Sequence, residues 1–484
     1  MKKSLHNLIQ GINLPARASV WYMGASVIGK AVGVLGTPVF TRLLDSESYG
    51  RFTLYMTLLG GASVIISAFN SGSAFYTGIK KNEDNKDAYL KRILSVTITF
   101  SLIICLLLFT FSSFLAIESC FFLPLTIQLL CDGITAIMLS RARFYYKYRS
   151  VVAVTMINAI LPPVISFFIM AGGYADFRVR IYSLLFVSAA TALYALVIIN
   201  KSTKKNQKIK NCDDREKRAA VTVKDVIGYA LPMLPHSLWS AISLQSDKLV
   251  ISSLMGADAV GKYSVIYSVG VGMQFIVSAV GSALFPWIIR RLECGEEDRI
   301  RRLVYPLILG YSAVVLSVYS IAPEIISILA PKEYLDAFPA LLPILLCCPF
   351  HFISSVISVG IVHMKKARAS WAASLAGGAI CIISNYLLTR ELGYFGAGLS
   401  VLVSQATNCL MGIFIISSSR AKEMIRWQDV SKIAIISLSV GVIYSFAGSL
   451  ITRLILLILP AAIFLYSAAK LLPQITEKGG KIRP

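Results

Sequence analysis

Residues 19–41 read SVWYMGASVIGKAVGVLGTPVFT, an apolar run interrupted by small polar side chains and by Lys30. About 20 such residues in a helix, rising about 1.5 Å each, cross a hydrocarbon core of about 30 Å. The run therefore predicts a transmembrane helix. The residues before it include Lys2, Lys3 and Arg17 but no short apolar core with a cleavage site, so no cleavable signal peptide is expected.

Similar apolar runs recur along all 484 residues, of which 56% are hydrophobic and 15% charged. Soluble domains have about 45–50% apolar and about 25% charged residues. The sequence therefore predicts an all-α polytopic membrane protein with about 14 transmembrane helices. The predicted spans are 19–41, 52–77, 93–115, 119–140, 150–171, 181–200, 226–254, 262–288, 303–322, 339–361, 370–389, 394–418, 433–449 and 453–470.

The net charge of +22 is typical of proteins that bind nucleic acid, but its distribution indicates a membrane topology instead. Basic connectors follow every second span, and most of the 47 Lys and Arg residues lie in them. This asymmetry is the positive-inside rule, which places the basic loops in the cytoplasm. An even number of spans then puts both termini in the cytoplasm of a cell in whose cytoplasmic (inner) membrane the protein resides.

The most polar connector divides the chain into two parts that echo each other. Residues 43–52 follow the first span and residues 254–263 follow the seventh; both end in Gly, a basic residue and an aromatic residue, with an acidic residue three positions before the Gly. An internal repeat of this kind is common in transporters. The predicted organisation is a six-helix bundle, a basic cytoplasmic linker, a second six-helix bundle, and two extra helices with a cytoplasmic tail, over 1–200, 201–225, 226–418 and 419–484 respectively.

Polar residues inside the spans mark candidate functional positions, because an ionisable group at the bilayer centre is costly unless it faces protein or water. Three spans carry polar stripes, each along one helical face. The candidate cavity residues are Ser26, Lys30, Gln128, Asp132, His236, Ser240, Ser243, Asp247 and Lys248. Pro232 and Pro235 break the seventh span, as in transporter helices that line cavities.

Structural alternatives remain open for several of these residues. Asp247 and Lys248 could form a pair at the outer end of their helix. Asp132 could be a buried partner of Lys30 or of a helix amide, and His236 could be a satisfied polar core residue.

Chemistry of other kinds has no sequence signature here. No phosphate-binding loop for ATP is present, the four His have no metal-ligand spacing, and the nine Cys form no C-x-x-C pair. No outer loop is large enough for a catalytic domain. The sequence therefore predicts a carrier rather than an enzyme, with no metal site and no cofactor beyond a coupling H+ or Na+.

Residues 37–50, TPVFTRLLDSESYG, resemble the first-helix signature of the polysaccharide transporter family. So do residues 247–252, DKLVIS, and residues 259–264, AVGKYS. That family contains the O-antigen and exopolysaccharide repeat-unit flippases, and its superfamily includes multidrug extruders and the lipid II flippase. The resemblance extends over essentially the full length.

The resemblance implies two six-helix bundles that form a V around a central cavity. It further implies a cargo of undecaprenyl-diphosphate-linked oligosaccharide, flipped from the cytoplasmic leaflet by alternating access for surface polysaccharide (for example lipopolysaccharide) biosynthesis. Lys30 would attract the diphosphate at the centre. Four arginines could gather it at the cytoplasmic mouth, although they could equally be ordinary anchors: Arg17, Arg141, Arg143 and Arg149. The implied partners are this glycolipid, membrane lipids, and a polymerase with chain-length machinery; nucleic acid is not one.

Two other classes compete with this prediction. A multidrug extruder of the same superfamily, or a lipid II flippase, would share the fold, but an extruder of cations should have an acidic cavity. Here two carboxylates, Asp132 and Asp247, balance Lys30 and Lys248, and the mouth arginines make the route basic. A membrane enzyme acting on the same glycolipids would need catalytic residues that the sequence does not show.

Overall fold

The computed structural model describes residues 14–70, 72–82, 85–110, 118–209, 222–231, 234–364, 367–417, 420–445 and 450–476. This part of the chain is almost entirely helical and contains no β-strand, which confirms the predicted all-α class. The helices are α1 (Leu14–Leu43), α2 (Ser46–Asn70), α3 (Gly72–Lys81), α4 (Lys86–Thr110), α5 (Phe122–Phe144), α6 (Tyr148–Ala171), α7 (Phe177–Ile209), α8 (Val223–Ala230), α9 (Leu234–Glu293), α10 (Glu297–Ser320), α11 (Ala322–Leu329), α12 (Leu341–His363), α13 (Ala367–Ser417), α14 (Trp427–Ser445), α15 (Leu450–Leu456) and α16 (Ile458–Thr476).

Within the described residues, ten helical stretches are long and apolar enough to cross a membrane. Two of them, in α9 and α13, each run through parts of two predicted spans that are joined without a loop. The described parts of the predicted spans 433–449 and 453–470 lie on α14, α15 and α16, outside these ten stretches. The multi-pass membrane architecture is therefore confirmed, whereas the count of 14 crossings stays a prediction.

Glycine makes the sharp bend in both of these long helices. Gly256 in α9 has φ of 86° and ψ of 178°, and Gly393 in α13 has φ of 56° and ψ of −132°. A side chain beyond the α-carbon disfavours both conformations, which are rarely open to residues other than glycine. Each bend falls between two predicted spans, so a single glycine replaces a connecting loop.

The chain divides into two compact units, residues 1–245 (unit 1) and 246–484 (unit 2). Unit 1 has an apolar core around Phe69, Phe75 and Ile93. In unit 2 the most enclosed long helices are α10 and α12, the latter burying residues such as Val356. The finer boundaries predicted from the sequence, with a linker at 201–225, stay predictions.

Helix α8 begins within the last residues of the predicted linker, and its start carries a capping box. The Thr222 hydroxyl accepts a hydrogen bond from the Asp225 backbone N–H, while the Asp225 carboxylate accepts one from the Thr222 backbone N–H. These hydrogen bonds from Thr222 lower the pKa of the Asp225 carboxyl. The cap fixes the first turn of α8.

Both sequence echoes build the same local ion-pair arrangement, which we call a staple. In unit 1, Arg51 contacts Glu47 one turn earlier at 2.7 Å and Glu118 at 3.1 Å. In unit 2, Lys262 contacts Asp258 at 3.2 Å and Asp336 at 2.9 Å. Each staple thus ties the start of one predicted span to the connector two spans further on, and the repeat seen in the sequence has a structural counterpart.

Candidate functional site

Helix α1 places Ser26 and Lys30 on an exposed surface. Helix α1 packs on α6, where a Cβ on Gly29 would lie 3.3 Å from the Cβ of Ala159. Both Ser26 and Lys30 are exposed, which suits the predicted contact with a hydrated cargo. Whether they bind cargo stays a prediction.

The polar stripe of the fourth span points into unit 1 instead. The Gln128 amide donates to Ser188 Oγ at 2.6 Å and to the Asp132 carboxylate at 3.2 Å, and Ser188 Oγ donates to Asp132 Oδ1 at 2.7 Å. Gln128 is only 2% exposed. The network joins α5 to α7, so Gln128 and Asp132 have partners inside their own bundle.

Ser188 is a member of this network that the sequence analysis missed. The only indication of it in the sequence is a second hydroxyl residue, Thr191, three positions later on the same helix. Thr191 itself contacts the Asn158 side chain at 3.3 Å. Hydroxyl groups are common in transmembrane helices, where they hydrogen-bond across to neighbouring helices, so one serine alone predicts no partner.

Asp247 and Lys248 are enclosed in unit 2 as a partnered pair. The Tyr263 hydroxyl donates to Asp247 Oδ2 at 3.0 Å, and Lys248 Nζ lies 3.6 Å from Asp247 Oδ1. The Lys248 ammonium also lies 4.1 Å from the centre of the Tyr267 ring, a cation–π contact. The two charged residues therefore satisfy each other within one unit, and a role for them in cargo binding stays a prediction.

A second buried polar cluster in unit 2 joins α9 to both arms of α13. The Asn385 amide donates to Ser246 Oγ at 2.6 Å, and Ser400 Oγ donates to Asn385 Oδ1. One turn beyond Asn385, the Thr389 hydroxyl is buried without a hydrogen-bond partner among the described residues. The sequence did not lead us to predict this cluster. An Asn inside an apolar span nevertheless indicates a hydrogen bond to a neighbouring helix.

At the predicted cytoplasmic end of unit 1, basic side chains lie among aromatic rings. The Arg143 guanidinium lies 6.0 Å from the centre of the Tyr22 ring, and Trp21 stacks on Tyr148 with 6.3 Å between ring centres. Arg149 is exposed, while Arg141 is partly buried. Trp and Tyr concentrate at membrane–water interfaces. The composition of this end therefore fits both predicted roles of its arginines: an entrance for the cargo, and anchoring at the membrane surface.

The remaining predicted side chains lie outside the described residues: Arg17, His236, Ser240 and Ser243. A cavity of about 210 Å³ lies in unit 2 between α12, α13 and α14. Its lining is apolar apart from Ser437, so it does not supply the hydroxyl and amide groups expected of a sugar site. Among the described residues, no group of three or more His, Cys, Asp or Glu is arranged to hold a metal ion.

Comparison with solved structures identifies the fold. The chain is similar to lipid II flippase MurJ in an inward closed conformation, with a TM-score of 0.65 and 14% identity over 93% of this chain and 98% of that chain. It is also similar to an inward-facing multidrug resistance transporter of the MATE family, with a TM-score of 0.59 and 11% identity over 80% of this chain and 95% of the other. These likenesses concern the fold alone.

Sequence comparison adds the family. The chain is 20% identical over 412 residues to the probable low-salt glycan biosynthesis flippase Agl15 of Haloferax volcanii, covering 83% of this chain and 84% of that protein. The polysaccharide biosynthesis protein family matches residues 16–291, which is more than half of the chain. The family and its structural neighbours are flippases and transporters rather than enzymes. This membrane-spanning chain therefore belongs to the polysaccharide biosynthesis protein family, on the fold shared by MurJ and the MATE transporters.

Proposed function

We propose that the protein is a flippase that moves undecaprenyl-diphosphate-linked oligosaccharide repeat units across the cytoplasmic membrane by alternating access. The products would serve the synthesis of a surface polysaccharide. The observation that carries this proposal is the family match, together with a relative named as a glycan biosynthesis flippase over more than four-fifths of both chains.

The chemistry of such a cargo suits the exposed groups of unit 1. A diphosphate that entered hydrocarbon unaided would lose solvation worth on the order of tens of kcal/mol. An ammonium group in a hydrated route substitutes for part of the lost water. Lys30 is exposed midway along α1, and Arg143 and Arg149 are exposed at the end of unit 1 where the cargo would enter.

The placement of the charged groups favours an anionic cargo over the cationic cargo of a multidrug extruder. The two carboxylates of the predicted cavity, Asp132 and Asp247, hydrogen-bond to partners within their own units. Lys30 is an exposed cation on α1. A lipid II flippase would carry a diphosphate too, and its fold is similar, so the sugar specificity is what an assay must decide.

Coupling to a gradient of H+ or Na+ is part of the proposal, as are a polymerase and chain-length machinery as partners. Asp132, which accepts hydrogen bonds from the neutral side chains of Gln128 and Ser188, is the carboxylate at which a coupling cation would find a counter-charge. We place the protein in the cytoplasmic membrane with both termini in the cytoplasm.

The test of the function is deletion and complementation in the source cell. Deletion should abolish the surface polysaccharide and leave lipid-linked repeat units facing the cytoplasm, and the wild-type gene should restore export. Lys30→Ala should fail to restore it at normal protein levels, whereas Lys30→Arg should retain most export because it keeps the charge. Lys91→Ala, at an exposed lysine on α4, is the matched control.

Two results would each contradict part of this proposal: export in the deletion strain, and full export by the Lys30→Ala variant. The first result would remove the proposed function. The second would remove Lys30 from the cargo route while leaving the function standing.

A further inference from the structure

Eight basic residues lie at predicted outer ends of the spans, against the positive-inside rule. They are Arg42, Arg51, Arg178, Arg180, Lys262, Lys332, Arg390 and Arg453. Half of them pair with acids: Arg51 and Lys262 in the staples, Arg453 with Glu324 at 2.9 Å, and Arg390 with Glu391 at 3.9 Å. Arg180 differs from these in its surroundings.

The Arg180 guanidinium lies between two phenyl rings in unit 1. Its central carbon is 3.7 Å from the centre of the Phe40 ring on α1 and 3.9 Å from the centre of the Phe52 ring on α2. The Tyr49 hydroxyl is close enough to interact electrostatically with it. Both rings lie within cation–π distance of the guanidinium.

A second layer of the same kind lies beside it. The Phe177 ring is flanked by the Arg51 guanidinium at 5.6 Å and the Arg178 guanidinium at 5.7 Å from its centre. We call the six residues of these two layers the outer arginine stack: Phe40, Phe52, Arg180, Phe177, Arg51 and Arg178. Only Arg51 among its three arginines has a carboxylate partner within the described chain.

The phenyl rings stabilise the charge of Arg180 without using its hydrogen-bonding capacity. A guanidinium has five N–H donors in its plane. Within the described residues Arg180 donates no hydrogen bond and forms no ion pair. Arg180 also lies in the first turn of α7, where the helix dipole disfavours a positive charge. The residue is partly exposed.

We infer that the outer arginine stack is a binding site for a phosphate group at the membrane–water interface, with Arg180 as its central donor. A planar fork with unused N–H groups matches phosphate oxygens two at a time. The phosphate can belong to a bilayer phospholipid or to the diphosphate of the translocated cargo. The cargo source rests on the proposed function, whereas the phospholipid source does not.

Binding to the full-length protein in detergent tests the site. The probes are geranylgeranyl diphosphate, measured by calorimetric titration, and phosphatidylglycerol, counted as bound lipid by native mass spectrometry. Arg180→Met keeps the length of the side chain between the rings and removes the charge and the donors. We expect it to lose tenfold or more in affinity for at least one probe. Arg390→Met, at an exposed outer arginine of unit 2, should bind both probes as the wild type does.

Arg180→Lys keeps the test valid if Arg180→Met does not fold, which thermal unfolding would reveal. A lysine retains the charge but not the planar fork, so its affinity should fall about three- to tenfold. Loss for the diphosphate alone assigns the site to cargo, and loss for phosphatidylglycerol alone assigns it to bilayer lipid. Wild-type affinity for both probes in the Arg180 variants would overturn the site.

The outcome is separate from that of the proposed function, because binding in detergent requires no transport. A cell in which the deletion leaves export intact would remove the flippase function without touching the phosphatidylglycerol measurement. Equal binding by the Arg180 variants would remove the site while the complementation result still stands.

Discussion

Several buried polar side chains of this protein hydrogen-bond to one another within one unit, whereas Lys30 lies exposed on α1. Ser188 is central to this in unit 1, since its hydroxyl contacts both Gln128 and Asp132. A buried group that loses its partner costs about 1–3 kcal/mol, more when the group is charged. Substitution of a buried partner such as Ser188 should therefore lower stability, whereas substitution of the exposed Lys30 should lower export.

Ser188→Ala should lower the free energy of unfolding by about 1–3 kcal/mol, because Asp132 and Gln128 each lose a buried hydrogen bond. The measurement is thermal unfolding of the purified protein in detergent. Ser95→Ala, at an exposed serine of α4, is the control and should unfold with the wild type. Unchanged stability with loss of export would instead make Ser188 a cargo contact.

The sequence predicted that Gln128 and Asp132 lie on one polar face of the fourth span, and that Asp247 lies on a polar face of the seventh. It did not predict which residues these side chains contact. Helical periodicity gives the angle of a side chain about its own axis and says nothing of the neighbouring helix. The partners Ser188 and Tyr263 come from other spans and are ordinary residues there. For the same reason the environment of Arg180 could not be predicted, because the Phe40 and Phe52 rings beside it lie about 130 residues earlier in the chain.

At the scale of elements, the echo between residues 43–52 and 254–263 predicted a repeat, and both copies form a staple. The residues within each copy could be paired from sequence because they are four apart on a helix. Glu118 and Asp336, which complete the staples, could not, because nothing local ties them to a residue some 70 positions earlier. The bends at Gly256 and Gly393 could not be predicted, because glycine is also common inside straight transmembrane helices and does not by itself indicate a bend.

Lys262→Met should lower stability by about 1 kcal/mol, since its side chain is only 15% exposed and contacts two carboxylates. Added salt should narrow the difference from the wild type, because it screens the ion pairs. The check is thermal unfolding in detergent at low and high salt. Arg390→Met removes a pair that is 63% exposed at the arginine, and it should change nothing.

Gly256→Ala should destabilise unit 2 by about 1–3 kcal/mol, because alanine at φ of 86° and ψ of 178° is strained. Gly272→Ala is the matched control on the same helix: a Cβ there meets nothing within 4 Å, and alanine favours the helix. Comparison of the two unfolding temperatures isolates the backbone effect. Equal temperatures would show that the bend tolerates a side chain.

At the scale of the whole molecule, two exposed cysteines allow the predicted topology to be tested without reporter fusions. Cys120 lies beside a predicted outer connector and Cys294 in a predicted cytoplasmic one, and both are exposed. A membrane-impermeant maleimide applied to intact spheroplasts should label a variant retaining only Cys120, and should label one retaining only Cys294 after lysis. Labelling of Cys294 in intact spheroplasts would reverse the orientation.

The glycine bends also have a mechanical consequence. In unit 1, α1 is joined to α2 by Leu44 and Asp45, and α6 to α7 by residues 172–176. In unit 2 the corresponding joints are the single residues Gly256 and Gly393, so a change in the angle between two arms has to be taken up at or beside one glycine. Under the proposed alternating access, the angle between these neighbouring helices would therefore change along a connector in unit 1 and at a glycine in unit 2.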